Sequence, residues 1–342
     1  MKKSLILIIV VIIVLIASWM VILPVEQNSE KEVVFSVEKG QGSKDIGLNL
    51  EKQGLIRWSP VFRVYVLTVG MASYLKAGEY ILSPSMNMPQ IADKLFSGNV
   101  IKEKITIIEG WSLRDIASYF ESKGLFGAVD FFGLVGSPIT GSSSKDFSAD
   151  FAFLKDRPEN LSLEGYLFPD TYEKTSKESL ESVVEKMLIN FDKKLNSELR
   201  EEIEKQDRTI FEIVTMASIL EKEVITLEDK KIVSGIFWGK IENGEPLRSC
   251  ATVAYILGKE NWTFDEMRTE IASGTEIDSP YNTYKYKGLP FGPICNPGFE
   301  SIMAAVYPQD SDYWYYLSTR EGETIFSKTL DEHNAAKEKY YK

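Results

Sequence analysis

Residues 207–223 read DRTIFEIVTMASILEKE. On a helix with about 3.6 residues per turn, Ile210, Ile213, Val214, Ala217 and Leu220 form one apolar stripe, and Glu221 falls within it. Glu212, Thr215, Ser218, Lys222 and Glu223 point elsewhere. Phe211, Met216 and Ile219 lie off the stripe, so the helix is expected to be buried on more than one side. A carboxylate aimed into an apolar face is unfavourable unless it is paired, protonated or used. A carboxyl whose surroundings favour its neutral form is suited to donate a proton near neutral pH. Two readings of Glu221 stay open at this level: a catalytic acid, or a core-edge residue satisfied by an arginine or a backbone amide.

Outward from this helix, the N-terminus opens Met1-Lys2-Lys3 and runs apolar from Leu5 to Leu23, broken only by Ser18. As a helix that run is about 28 Å long, enough to cross a hydrocarbon core. The two lysines should stay on the cytoplasmic side, so the chain is expected to be a single-pass protein of the plasma membrane with the remainder outside. A cleaved signal peptide is the rival reading, but no small-x-small cleavage site follows the run. The formal net charge of −11 argues against nucleic-acid binding, which needs basic patches. One histidine, His333, and two cysteines, Cys250 and Cys295, leave no basis for a His-rich or CxxC metal site. Neither a metal nor a cofactor is expected. No G-x-S-x-G elbow accompanies His333, so a serine-hydrolase reading has no support, and a lone histidine here reads as structural.

Residues 1–24 therefore form the cytoplasmic start and the anchor, and 25–32 a polar linker. Next comes an internal repeat. Val37-Glu38-Lys39-Gly40 leads through an amphipathic stretch to Gln53-Gly54-Leu55. Seventy residues later, Ile107-Ile108-Glu109-Gly110 leads likewise to Lys123-Gly124-Leu125. The shared pattern predicts a strand, a glycine turn, a helix of about ten residues and a glycine stop. A module over 33–102 follows, with Lys76–Leu82 as strand and Met88–Phe96 as helix. It resembles a LysM-like unit, which grips glycan chains; a spacer holding the rest away from the bilayer is the other reading. Residues 103–342 form the larger region, with 103–135 the second repeat copy and 160–342 the core. The class is α+β throughout. Gly136–Phe147 reads as loop, Ser176–Gln206 as one long or two shorter surface helices, Lys230–Ile241 as helix, Asp312–Thr319 with Glu323–Ser327 as a strand pair, and Leu330–Tyr341 as helix.

Three stretches look too turn-rich and polar for packing alone. Residues 164–172, EGYLFPDTY, combine two carboxylates with three rings. Aromatic faces such as Tyr166 and Tyr172 can stack on sugar rings while Glu164 takes hydroxyls, although tyrosines as core anchors fit equally well. Residues 279–284, SPYNTY, bring Tyr281, Asn282 and Tyr284. Residues 288–298, GLPFGPICNPG, form a rigid loop that includes Asn296. Near the C-terminus stand Phe326-Ser327 and Glu332-His333-Asn334.

These stretches, taken in order with ASILEKE at 217–223, the L-x-S-x-A-T-V pattern at 247–253 and the terminal F-x-x-T-x-x-E-H ending at His333, resemble the endolytic murein transglycosylases, the YceG-like family, over nearly the full length. The resemblance implies a membrane-anchored enzyme that cuts peptidoglycan glycan strands internally, near the synthases that make them. It assigns the first glutamate of the E-K-E triplet, Glu221, as catalytic acid and base. It adds Ser249 and Thr252 to Glu164, Tyr166, Tyr172, Tyr281, Asn282, Tyr284 and Asn296 as substrate-binding candidates. This chain departs from the family pattern at Gly239-Lys240 (commonly Asn-Arg), at Arg248-Ser249-Cys250 (commonly Gln-Ser-Asp) and at Phe291 (usually proline). Cys250 and Cys295 lie in two of the shared loops, so a disulfide tying them is an expectation. The implied chemistry needs one carboxyl: it protonates the glycosidic oxygen, then deprotonates the muramoyl C6 hydroxyl, which closes on C1. Glu223 is the candidate helper, but its face points away on an ideal helix, and Glu164 is the better candidate for the cleft. A non-catalytic glycan-binding scaffold is the alternative from another class.

Overall fold

The structure, a computed structural model, describes residues 2–138, 141, 143–258, 270 and 273–341. It is mixed α+β, as read from the sequence. The chain divides into two compact units: Met1–Ile105 with Glu173–Glu178, and Thr106–Tyr172 with Ser179–Lys342.

The first unit begins with α1 (Lys2–Ile22), whose apolar side chains are exposed along nearly its whole length. Strands β1 (Val33–Val37) and β2 (Gly78–Leu82) pair antiparallel, with Phe35 opposite Tyr80. Between them run α2 (Ser43–Lys52) and α3 (Ser59–Thr68), and α4 (Met88–Ser97) follows. Alternate strand residues meet the apolar helix faces, so Phe35, Ile46, Leu50, Phe62, Tyr80 and Ile91 form a core sealed from solvent. Arg57 closes the end of α1: it donates to the Leu23 carbonyl at 2.7 Å and stacks on the Trp19 ring at 4.5 Å. In the segment that follows α1, the Glu26 amide donates to Pro84.

The repeated pattern appears as geometry. β1 and β3 (Lys102–Thr106) are each followed by a glycine in the left-handed region, Gly40 at φ 84° and Gly110 at φ 80°. Ten-residue helices follow, α2 and α5 (Leu113–Ser122), and each ends at a second such glycine, Gly54 or Gly124. Only glycine takes these conformations without a Cβ penalty.

In the second unit, α5 packs on α6 (Ala128–Val135). β4 (Thr171–Thr175), paired with β3, lies mostly in the first unit; α7 (Leu180–Lys194) and α8 (Ser197–Lys205), the pair of surface helices, belong to the second. At the centre lies α9 (Ile210–Glu223), started by a reciprocal capping box between Thr209 and Glu212. Every residue from Ile213 to Leu220 is buried, against α8, α10 (Leu227–Glu242), α11 (Cys250–Leu257) and α12 (Phe299–Val306). Thr215 and Ser218 therefore also face protein. They survive burial because each donates to a carbonyl one turn back, and Ser218 Oγ accepts from Ile294. The antiparallel pair β5 (Tyr315–Ser318) and β6 (Thr324–Ser327) and the helix α13 (Leu330–Tyr340) complete the unit. Of the loop expected over 136–147, residues 139, 140 and 142 lie outside the described residues.

Candidate active site

A groove of about 1450 Å³ opens in the second unit. Its walls come from α5, the ends of α9 and α10, one side of α11, β5 and α13. Glu223 lies in it, and Glu221 is not among its lining residues. Glu223 is the last residue of α9, after which Val224 turns extended at φ −144°. It stands seven residues after Met216 and four after Ile219, on the side of the helix that faces α11 and β5. Tyr316 Oη donates to its Oε2 at 2.8 Å, and Ser249 Oγ donates to its Oε1. The Ala251 amide, in the first turn of α11, approaches Oε1 at 3.5 Å, so this carboxyl also meets a helix N-terminus. Burial and the nearby Glu223 hold the Tyr316 phenol well above its ordinary value, which keeps it a donor.

Glu221 is committed elsewhere. Its Oε2 accepts from Ser301 Oγ at 2.5 Å, from the Gly298 amide at 3.0 Å and from Lys230 Nζ at 3.4 Å. Its side chain is 10 % exposed and that of Lys230 is 5 % exposed. The residue on the apolar stripe is thus placed in an internal ion pair with Lys230, and its neighbour two positions on, Glu223, is the one that lines the groove. Glu109 packs against Gly298 and shares this surrounding; burial first, then Glu221, raises its pKa.

The other candidates divide between groove and scaffold. Tyr284 lines the groove with Cys250, whose Sγ lies 3.2 Å from Tyr284 Oη. Ser249 and Thr252 sit directly behind Glu223: Ser249 N–H donates to Thr283 Oγ1, and Thr252 Oγ1 donates to the Ser249 carbonyl. Glu164 is not in the cleft. It is 2 % exposed, and its carboxyl accepts from the Leu113 amide at the start of α5, from Tyr255 Oη and, at 3.4 Å, from Asn296 Nδ2. Burial pushes its pKa up to about 8, against those hydrogen bonds. Asn296 is fully buried and ties three segments: its Oδ1 accepts from Gly165 and Leu167, and its Nδ2 donates to Trp111. Asn282 fixes its own loop by donating to Thr275 and Ile277. Tyr166, Tyr172 and Tyr281 are core rings, set among Phe153 and Phe191, under Phe168, and against Tyr255 respectively. These polar and aromatic residues looked ligand-facing because they occur in turns; the turns pack on one another and consume their hydrogen bonds. The cysteines are free thiols, not the expected disulfide: Cys250 is exposed in the groove, whereas Cys295 is buried with its Sγ on the Ser218 carbonyl. His333 reaches the groove wall, stacked on Tyr315, with Nδ1 unpartnered; burial, Lys337 and Lys240 lower its pKa to about 4. Sequence reasoning missed Tyr316, Trp314 and Lys240 as lining groups. Among the described residues no three His, Cys, Asp or Glu side chains converge as a metal site.

Fold and site together define a class: an α+β protein with an apolar N-terminal helix and an open groove, rich in rings and cations, around one helix-end carboxyl. The chain belongs to the YceG-like family, whose model matches residues 35–339. It is similar to the endolytic murein transglycosylase of Bacillus subtilis (strain 168), 34 % identical over 324 residues, covering 93 % of this chain and 87 % of that protein. It is 30 % identical over 328 residues to the endolytic murein transglycosylase of Streptococcus pneumoniae serotype 2 (strain D39 / NCTC 7466), covering 92 % of this chain and 59 % of the other. The crystal structure of a YceG-like protein from Listeria monocytogenes covers 90 % of this chain at 34 % identity, with a TM-score of 0.56.

Proposed function

We propose that this chain is a peptidoglycan lytic transglycosylase in which Glu223 is both general acid and general base. Membership in a family with relatives named endolytic murein transglycosylases supports transglycosylation of murein as the activity. The observation that carries the assignment is the hydroxyl pair on Glu223, Tyr316 on one oxygen and Ser249 on the other, in a groove of about 1450 Å³. Glu223 gives its proton to the oxygen joining N-acetylmuramic acid C1 to N-acetylglucosamine, and that C1–O bond breaks with oxocarbenium character at C1. The resulting carboxylate takes the proton of the muramoyl C6 hydroxyl, and O6 bonds to C1. The product is a 1,6-anhydro end, and the proton returns Glu223 to its starting state.

A hydrolytic glycosidase normally sets a second carboxylate across the bond. Of the other acids in the groove, Asp115 is occupied by the Ser112 amide and hydroxyl, and Glu245 lies at the exposed rim near Trp314 Nε1. This favours a nucleophile supplied by the substrate itself. Glu223→Gln should abolish release of anhydro-ended fragments from uncrosslinked glycan. Release at the parent rate by that variant sinks the assignment. Reducing ends from the parent protein would mean hydrolysis, and binding without cleavage would mean a scaffold.

The exposed apolar surface of α1 supports a single-pass anchor, with Lys3 inside and the groove outside. The β1–α2–α3–β2 order supports a LysM-like, glycan-gripping role for the first unit. An anchored groove works on strands close to the membrane, where the synthases extend them.

A further inference from the structure

We propose that the groove holds an anion subsite, formed by Lys222, Lys240, Arg248 and Lys337, that takes the free carboxylates of the peptide stems carried by the glycan. This rests on the peptidoglycan reading above. The whole chain has a net charge of −11, yet these four cations line one groove. Among the described residues none of the four side chains makes a hydrogen bond or ion pair, so their charge is not neutralised by a bound carboxylate. The acids facing them are Glu223, held by Tyr316 and Ser249, Asp115, engaged in capping α5, and Glu245. The neutral or polar titratable groups around them are Cys250, Tyr284, Tyr316 and His333.

One of the cations carries a desolvation cost that a bound anion would offset, and another is held at the groove by a strained turn. Lys240 is half-buried with its Nζ over the Phe237 ring at 5.8 Å, and burial draws its pKa down. Arg248 holds φ at 56°, the left-handed region that a non-glycine residue avoids. Its amide and that of Ser249 both bond to Thr283, which fixes the turn and keeps Arg248 at the groove. Sugar hydroxyls and acetamido groups bear no charge. Charge on a glycan strand comes from stem carboxylates, present at each muramoyl unit, or from the pyrophosphate of a lipid-linked end. A cut inside a strand always has a stem beside it and seldom has a pyrophosphate, so the stem is the ligand these cations fit.

The test uses full-length protein carrying Glu223→Gln, so that binding is read without cleavage. Fluorescent uncrosslinked strands with stems are compared with the same strands stripped of stems by an amidase, with the lactyl carboxylates so freed capped as methylamides to remove their charge. Stem-bearing strands should bind about tenfold more tightly at low salt, and the ratio should shrink as ionic strength rises from about 0.05 to about 0.5 M. Adding Lys240→Gln with Lys337→Gln should bring the ratio towards one; Arg248→Gln alone should reduce it, and serves if the double change fails to fold. Equal binding of the two strands, or a ratio that the variants leave intact, overturns the proposal. Tight binding confined to stripped strands that end in lipid pyrophosphate overturns it too. A stem preference in protein whose parent form cleaves no strand would keep this subsite and discard the transglycosylase reading.

Discussion

Glu221 and Glu223 stand roughly 200° apart around α9, and each meets the first turn of a different short helix. Glu221 takes the Gly298 amide and the Ser301 hydroxyl at α12; Glu223 takes Ser249 at α11. Their surroundings differ most in the buried Lys230 beside Glu221. Removing one partner of a buried pair leaves the other charge uncompensated. Glu221→Gln should therefore lower the stability by about 3 kcal/mol, read from the urea midpoint, while folded protein still cleaves glycan. Glu164 provides a separate test through pH. Its folded pKa of about 8 lies above the ordinary carboxyl value, so the folded state holds a proton that the unfolded state has released. Its contribution is fully present below the unfolded pKa and is lost as pH climbs towards 8. Glu164→Gln should narrow the stability gap between pH 5 and pH 8 by about 2–4 kcal/mol, measured by denaturant unfolding at both values.

At the scale of elements, α9 was legible as a helix, down to the Thr209–Glu212 capping box. The side that faces the groove was not. An apolar stripe identifies a face only when the opposite face meets water, and here every residue from Ile213 to Leu220 is enclosed. The loops misled in a related way. Residues 164–172 and 288–298 carry rings and amides suited to sugars, but Asn296 spends both ends of its amide on Gly165, Leu167 and Trp111. Asn296→Ala would leave these backbone groups without their partner. A loss of about 3 kcal/mol is expected, together with weaker cleavage as the loops behind the groove loosen; thermal melting and the anhydro-end assay on one preparation check both. Short strands and glycine stops, by contrast, followed the sequence closely, since Gly40, Gly54, Gly110 and Gly124 each take a conformation that few other residues accept.

At the scale of the molecule, an acidic chain carries an exposed apolar helix at one end and a cation-lined groove in its second unit. The anchor reading predicts that the full chain sediments with membranes and is freed by detergent but not by about 1 M salt, since burial of α1 is not electrostatic. A form lacking residues 2–22 should be soluble and still cleave dissolved strands; sedimentation with membranes despite the deletion would refute α1 as the anchor. The sequence by itself determined what depends on near neighbours along the chain: the apolar span, the capped helices, the glycine turns and the repeated strand–helix pattern. Hydrogen bonding and side-chain periodicity act over a turn or two, so those features are written locally. The tertiary structure alone decided which glutamate reaches the groove, which polar loops became scaffold, and that Lys222, Lys240, Arg248 and Lys337 line one groove. Those outcomes depend on packing between segments up to more than a hundred residues apart, which no local pattern encodes.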